Sequence, residues 1–192
     1  MKRPPDHTLT RRGFLARSTA AALTLALGRF GLAGAQNTPK FSSAMELALS
    51  FTITPPTFGR AQRPYVAVWL EDSAGQPVRT LSLWVEASGR GLRYIRELRR
   101  WFQDTQGGGE LIDTVSSPTR NPGQYNLSWD GKNDQGAPVA LGSYALCIEY
   151  AREHGPYDLI RQPLALGSAP FQKALPGNDE VTGVKVEYRK RA

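Results

Sequence analysis

From Met45 the chain alternates. Met45, Leu47, Leu49, Phe51 and Ile53 fall on one side of an extended segment, and Glu46, Ala48, Ser50 and Thr52 on the other. That two-residue period predicts a half-buried strand, ended by Pro55-Pro56. Tyr65 to Leu70 is a continuous apolar run of β-branched and aromatic residues, hence a central strand. Asp72-Ser73-Ala74-Gly75 turns the chain and Val78 to Val85 returns, so 65–85 reads as a hairpin. Over 93–103 the period changes. Tyr94, Leu98, Trp101 and Phe102 recur at helical spacing, and Arg93, Arg96, Arg99 and Arg100 fill most of the remainder. This predicts one short amphipathic helix with a basic face, broken off by Gly107-Gly108-Gly109. An irregular stretch follows from Asp113 to Gly123, holding Pro118 and Pro122. Alternation then resumes at Tyr125, Leu127 and Trp129, again over Ser143 to Glu153, where Tyr144, Leu146, Ile148 and Tyr150 take the core face, and at Val184, Val186 and Tyr188. Tyr157 to Leu166 pairs back across the turn Glu153-His154-Gly155-Pro156. Many short strands, frequent turns and one helix predict an all-β fold, an antiparallel β-sandwich over 45–192.

The amino-terminal residues 1–35 follow a different logic. A basic stretch carries Thr10-Arg11-Arg12-Gly13-Phe14-Leu15, an Ala-rich apolar segment runs from Ser18 to Leu27, and Ala33-Gly34-Ala35 supplies the small residues a signal peptidase needs. The order is that of a twin-arginine export signal with Arg11 and Arg12 as its pair, cleaved after Ala35. Arg29 and the glycines interrupt a run already shorter than the roughly 20 residues of a membrane span. A polar, flexible lead, 36–44, then precedes the domain.

Export changes the charge balance. The whole chain of 192 residues carries 24 basic and 17 acidic side chains, a net +7. Cleavage removes six of the basic and one of the acidic residues, which leaves 18 against 16 and a net +2. The basicity sits mainly in the address segment, and nucleic acid drops out as a partner. The lone Cys147 excludes an internal disulfide framework; it alternates away from the core face with Ala145 and Glu149. His154, the single histidine after residue 35, lacks the G-x-S-x-G context of a serine hydrolase, so no catalytic set is expected. Glu149, Glu153 and His154 do not form a metal set, because neighbouring strand residues point to opposite faces. Asp130 to Gly136 lacks the ligands of a calcium loop and reads as a turn.

Gly123, Tyr125, Leu127, Trp129, Asp130, Gly131, Gly136, Val139, Gly142 and Tyr144 keep the spacing of a strand-turn-strand unit. The run resembles the hairpin of immunoglobulin-like modules, including that of the flagellar hook-cap protein, and so implies an immunoglobulin-like sandwich. Arg63 to Asp72, the 77–85 strand, Leu98 to Trp101 and Ala151 to Gly155 together resemble a family of predicted periplasmic proteins, domain-of-unknown-function family 2271. The resemblance covers roughly 45–190. Members are often encoded near PepSY-type membrane proteins and near the transferase that attaches FMN to extracytoplasmic proteins. The resemblance therefore implies a periplasmic or membrane redox protein as partner.

That transferase acts on segments of the form D-x-x-[ST]-[GS]-A-[ST], joining FMN through a phosphoester to the last hydroxyl. Asp113, Ser116, Ser117 and Thr119 resemble this target, with Pro118 in place of its Ala. Pro118 removes a backbone donor and pushes Ser117 toward extended geometry. Two function classes follow. One is a non-enzymatic binding or scaffold module of a membrane-associated flavin or electron-transfer system, which docks through Arg93, Arg96, Arg99 and Arg100. The other is an electron carrier with FMN covalently bound at Thr119. The Thr119 hydroxyl separates them.

Overall fold

The computed structural model of the protein describes residues 38–55, 63–85, 91–153 and 155–191, with the side chains at 91, 92, 110, 111 and 113 also left aside. The export signal, including Arg11, Arg12 and the cleavage position, lies outside these residues. Pro39–Ala192 form one compact unit.

Along that unit run β1 (Met45–Ile53), β2 (Tyr65–Asp72), β3 (Pro77–Trp84), a 3₁₀ helix (Gly91–Glu97), α1 (Arg99–Asp104), α2 (Gly109–Val115), β4 (Ser116–Ser117), β5 (Gly123–Trp129), β6 (Gly142–Ala151), β7 (Tyr157–Leu166), β8 (Phe171–Ala174) and β9 (Val181–Lys190). The strands form a four-stranded sheet of order β5-β1-β9-β8 and a five-stranded sheet of order β4-β3-β2-β6-β7. All pairs are antiparallel except β3 with β4. This is the β-sandwich that the alternation predicts.

The burial of β1 shows why. Its nine residues alternate buried and half-buried from Met45 to Ile53, so one face enters the core and the other faces outward. Leu47 lies opposite Trp129 on one side and Tyr188 on the other. The inner faces of both sheets close a core with Phe51, Val68, Leu70, Trp84, Leu146, Ile148 and Val186. β2 and β6 are different, because Val66 to Glu71 and Ala145 to Ala151 are buried at every position. Their outer faces are covered too. A second cluster of Ala67, Trp69, Leu83, Ile95, Leu98, Trp101 and Cys147 packs the helical segment against the outside of the five-stranded sheet. Strands covered on both faces read as continuous apolar runs, which is the pattern of Tyr65 to Leu70.

Several features depart from the sequence reading. The one helix expected over 93–103 is divided into the 3₁₀ helix and α1, and Ser116–Ser117 form a strand inside the stretch expected to be irregular. Gly109–Val115 is helical where an irregular stretch was expected to begin at Asp113. β8 is an additional short strand, paired with β9 from Phe171↔Tyr188 to Ala174↔Lys185. Within the expected lead, Phe41 is buried. Its N–H donates to the Val139 carbonyl at 2.8 Å. Its ring lies 5.2 Å from that of Trp129 and 5.5 Å from that of Tyr188. The same contact explains Gly131. Its φ is +76°, and a Cβ there would stand 2.0 Å from the Phe41 ring. No other residue type fits under Phe41 at that turn.

Candidate functional site

The helical layer has a repeat of three. From residue 93 to 101 the sequence runs as three triplets, Arg-Tyr-Ile, Arg-Glu-Leu and Arg-Arg-Trp. The third residue of each, Ile95, Leu98 and Trp101, is buried; the second, Tyr94, Glu97 and Arg100, is half-buried; the first, Arg93, Arg96 and Arg99, is exposed. A 3₁₀ helix has three residues per turn, so side chains at i and i+3 eclipse. The 3₁₀ backbone sorts the residues up to Glu97 in this way, and after the non-helical Leu98 the third triplet, at the start of α1, keeps the same burial order.

Two buried carboxylates hold this layer to the sheet. Glu149, on the outer face of β6, accepts the backbone N–H of Arg100 on Oε1 and that of Trp101 on Oε2, each at 2.8 Å. Leu98, the residue before α1, provides no side-chain cap. Glu149 thus satisfies from another strand two of the donors that a helix start leaves open. Burial, the largest influence, raises the Glu149 pKa above the ordinary glutamate range, while these N–H bonds and the Tyr157 hydroxyl pull the other way. Trp101 Nε1 donates to Thr80 Oγ1 at 3.1 Å, which ties α1 to β3 as well.

Glu71, at the end of β2, is fully buried. Arg100 Nη2 reaches its Oε1 at 3.2 Å and Arg161 Nε its Oε2 at 2.8 Å. Arg100 also pairs with Asp104 one helical turn on, and the hydrogen bond to Asp104 is the main reason its pKa rises. Two guanidinium groups and two carboxylates balance one another here. Cys147 is buried beside them, and burial followed by the Glu71 charge pushes its thiol pKa up. A thiol held protonated and out of solvent is a poor nucleophile, and being buried it is not placed to cross-link a second chain.

The arginines therefore divide. Arg100 is spent on Glu71 and Asp104. The exposed row keeps Arg93, Arg96 and Arg99. The Arg96 guanidinium lies 5.7 Å from the Phe102 ring centre and that of Arg99 lies 4.5 Å from the Tyr157 ring centre. Contacts of this kind attract a guanidinium to the face of a ring.

The flavin-target segment lies on the same sheet, at its far edge. Ser116 and Ser117 form β4 and pair with Leu83 and Trp84, and the Val85 N–H donates to the Ser117 carbonyl at 2.9 Å. Thr119 follows on the loop, half-buried. Arg120 beside it lies 5.0 Å from the Trp84 ring centre and 5.6 Å from that of Tyr125. The Asp113 side chain lies outside the described residues.

Comparison with known families matches residues 46–183 to the model described as "Predicted periplasmic protein (DUF2271)". The chain belongs to this family. No curated protein matches it. Among solved structures, truncated FlgD from the human pathogen Helicobacter pylori (strain 26695) aligns with 13% identity and a TM-score of 0.32, over 80% of this chain and 91% of that one. A likeness so low carries no argument about this DUF2271 protein.

Other candidates in the DUF2271 domain resolve simply. His154 lies outside the described residues. In the Asp130–Gly136 turn, Asn133 Oδ1 accepts the N–H groups of Gln135 and Ala137, a side chain bonding the backbone just ahead of it. A polar groove of about 410 Å³ crosses the outer face of the four-stranded sheet between Glu46, Asn126, Gln172 and Lys185. Among the described residues no helix is long and apolar enough to cross a membrane. The buried Glu71, and Arg161 and Tyr157 that meet the helical layer, are members of this site that sequence reasoning did not single out, and Glu149 was weighed there only as a metal ligand.

Proposed function

We propose that this DUF2271 protein is exported through its twin-arginine signal, is cleaved after Ala35, and works in the periplasm as a non-enzymatic binding module of a membrane-associated flavin or electron-transfer system. The observation that carries this reading is the row of Arg93, Arg96 and Arg99, exposed on a helical layer that Glu149 and Glu71 pin to the sheet. Guanidinium groups on a rigid support suit recognition of a charged partner, because little side-chain freedom remains to be lost on docking. The test is chemical cross-linking in the native periplasm, with cross-linked proteins identified by mass spectrometry. A membrane flavoprotein or electron-transfer subunit should be captured by wild type and lost from Arg93→Gln/Arg96→Gln/Arg99→Gln. Capture that ignores the arginines defeats the reading.

A second reading has its own support. Thr119 is half-exposed on a loop that an edge strand holds in place, and the next residue, Arg120, is a cation. With a phosphoester at Thr119 Oγ1, the flavin would supply redox chemistry that the fold only presents. The intact mass of protein recovered from a host carrying the FMN transferase separates the readings. An added FMN that disappears in Thr119→Ala makes the protein an electron carrier; an unmodified chain beginning at Gln36 retains the binding module.

A further inference from the structure

The two sheets end in four outer strands, and three of these edges are closed to further pairing. β8 has four residues and β4 two, too short to template another chain. Beyond β4 the edge of β3 is taken by Asp134, whose N–H donates to the Val78 carbonyl and whose Oδ1 accepts the Thr80 N–H. β7 has ten residues, but Asp158 Oδ1 accepts the Leu159 N–H at 2.7 Å, and Pro163, farther along the strand, has no N–H to give. Prolines and charged side chains are the means by which edge strands are blocked. β5 has neither. We infer that β5 is the interface between two copies of this chain, which pair antiparallel through Gly123–Trp129 about a two-fold axis at Asn126. The inference stands apart from the docking reading, because the arginine row lies on the other sheet.

β5 is built as a strand that lacks a neighbour. Its seven residues, Gly-Gln-Tyr-Asn-Leu-Ser-Trp, carry no charge and no proline. It pairs with β1 at every position without a bulge. Among the described residues its backbone pairs with β1 alone. Its inward side chains show the same opening. Leu49 and Phe51 of β1 are buried, while Leu127 and Tyr125 directly opposite them are only half-buried. At the Trp129 end, a crevice of about 170 Å³ opens between Ser128 and Trp129 on one side and Arg79 and Leu81 of β3 on the other. A regular, uncharged edge with half-covered apolar residues is a ready template for another strand.

The sequence of the strand selects the occupant. With Asn126 opposite itself, all seven residues find a counterpart on their own face of the sheet. On the outer face Asn126 meets Asn126 and Gln124 meets Ser128 of the second copy, amides and hydroxyls that both donate and accept. On the inner face Tyr125 meets Leu127 of the second copy, an aromatic–aliphatic pair, and Gly123 leaves room for Trp129. No like charges oppose one another. A strand without charge offers an acidic or basic segment nothing to hold, so charge complementarity favours an uncharged partner, and β5 is itself one. The pairing is also finite. A two-fold axis uses both edges at once and joins two four-stranded sheets into a single one that ends in the short β8 on either side. The helical layer lies outside the other sheet, so such a dimer carries two arginine rows.

The test is sedimentation of the protein recovered from the periplasm over a series of concentrations, for wild type, Asn126→Lys, Asn126→Asp and an equal mixture of the two variants. Asn126 is exposed, so each variant should keep the wild-type unfolding midpoint. Wild type should associate to a dimer. In either variant the new charge faces its own copy across the axis, and dimerisation should weaken about fivefold. The mixture should recover the wild-type dimer, because Lys then faces Asp. A short bismaleimide should join Asn126→Cys to its copy and leave Lys173→Cys on β8 unjoined; Cys147 is buried and adds no reactive thiol. Arg96→Gln, which alters the docking face, should leave the dimer unchanged. A wild-type chain that stays monomeric throughout the series overturns the proposal. A dimer that is indifferent to both charges, or that the mixture does not restore, overturns it too. So does an Asn126→Cys chain that links only to a different periplasmic protein, which makes β5 the seat of another chain's strand.

Discussion

At the scale of a single residue, Glu149 is a carboxylate in the wrong place for a strand, unless a helix start lies above it. It is buried, and each of its oxygens accepts one backbone N–H. Burial disfavours the charged form and those bonds favour it; burial is the larger, so the folded pKa is raised. The folded chain then keeps a proton that the unfolded chain releases. The group's contribution to stability is full below the ordinary glutamate pKa and is lost as pH rises through the folded value. A glutamine does not titrate. The unfolding free energy of Glu149→Gln relative to wild type should therefore improve as pH rises from about 4, by about 1.4 kcal/mol for each unit by which the pKa is raised. Urea unfolding at a series of pH values measures it. A relative stability that instead falls with pH means that the two N–H bonds, and not burial, govern this side chain.

At the scale of elements, the helical layer depends on its buried row. Leu98 is fully buried between the 3₁₀ helix and α1 and joins Ile95, Trp101 and Trp69 in the outer cluster. Leu98→Ala should lower the unfolding free energy by about 2–5 kcal/mol, seen as a lower urea midpoint. It should also speed amide exchange at Arg100 and Trp101, whose N–H groups meet Glu149 only while the layer is seated. Normal protection at both would mean that the carboxylate alone holds α1. The strands were legible because their signal is local: β1 alternates in sequence as it does in burial, and β2 reads as apolar throughout because both its faces are covered. The helical layer was legible as amphipathic but not in its period. Helical spacing selects Tyr94, Leu98, Trp101 and Phe102 and passes over Ile95, whereas the triplets repeat every three residues. α2 was missed because Gly107, Gly108 and Gly109, all at positive φ, look like a break and are in fact the turn into it. β8 has four residues between Pro170 and Pro176, too few for a pattern. The arginines of the site were visible as residues, while their separation into one internal and three exposed was not, because Glu71 and Asp104 reach Arg100 only in the folded chain.

At the scale of the whole molecule, a buried ion pair crosses from one sheet to the other. Arg152 follows β6 in the five-stranded sheet, and Glu180 precedes β9 in the four-stranded one. Arg152 Nε donates to Glu180 Oε2 at 2.8 Å. Its Nη2 reaches the same oxygen and, at 3.4 Å, the carbonyl of Thr54 just beyond β1. Both side chains are buried. The energetic value of such a pair lies less in attraction than in neutrality, since two charges taken out of water are tolerable only together. Glu180→Ala leaves the guanidinium buried without its carboxylate and should cost about 3–5 kcal/mol. Arg152→Met combined with Glu180→Leu removes both charges and refills the space, and should recover most of that loss. Urea unfolding of the wild type, the single and the double variant closes the comparison, with an unchanged slope against denaturant required for the three to share one reference state. Recovery in the double variant would make the pair a device for matching the two sheets at one end of the sandwich, where an apolar contact serves stability equally well. A double variant as unstable as the single one would mean that the bond to Thr54 and the two N–H bonds to one Glu180 oxygen themselves hold the sheets together, and that this end of the sandwich depends on Arg152 for more than charge balance.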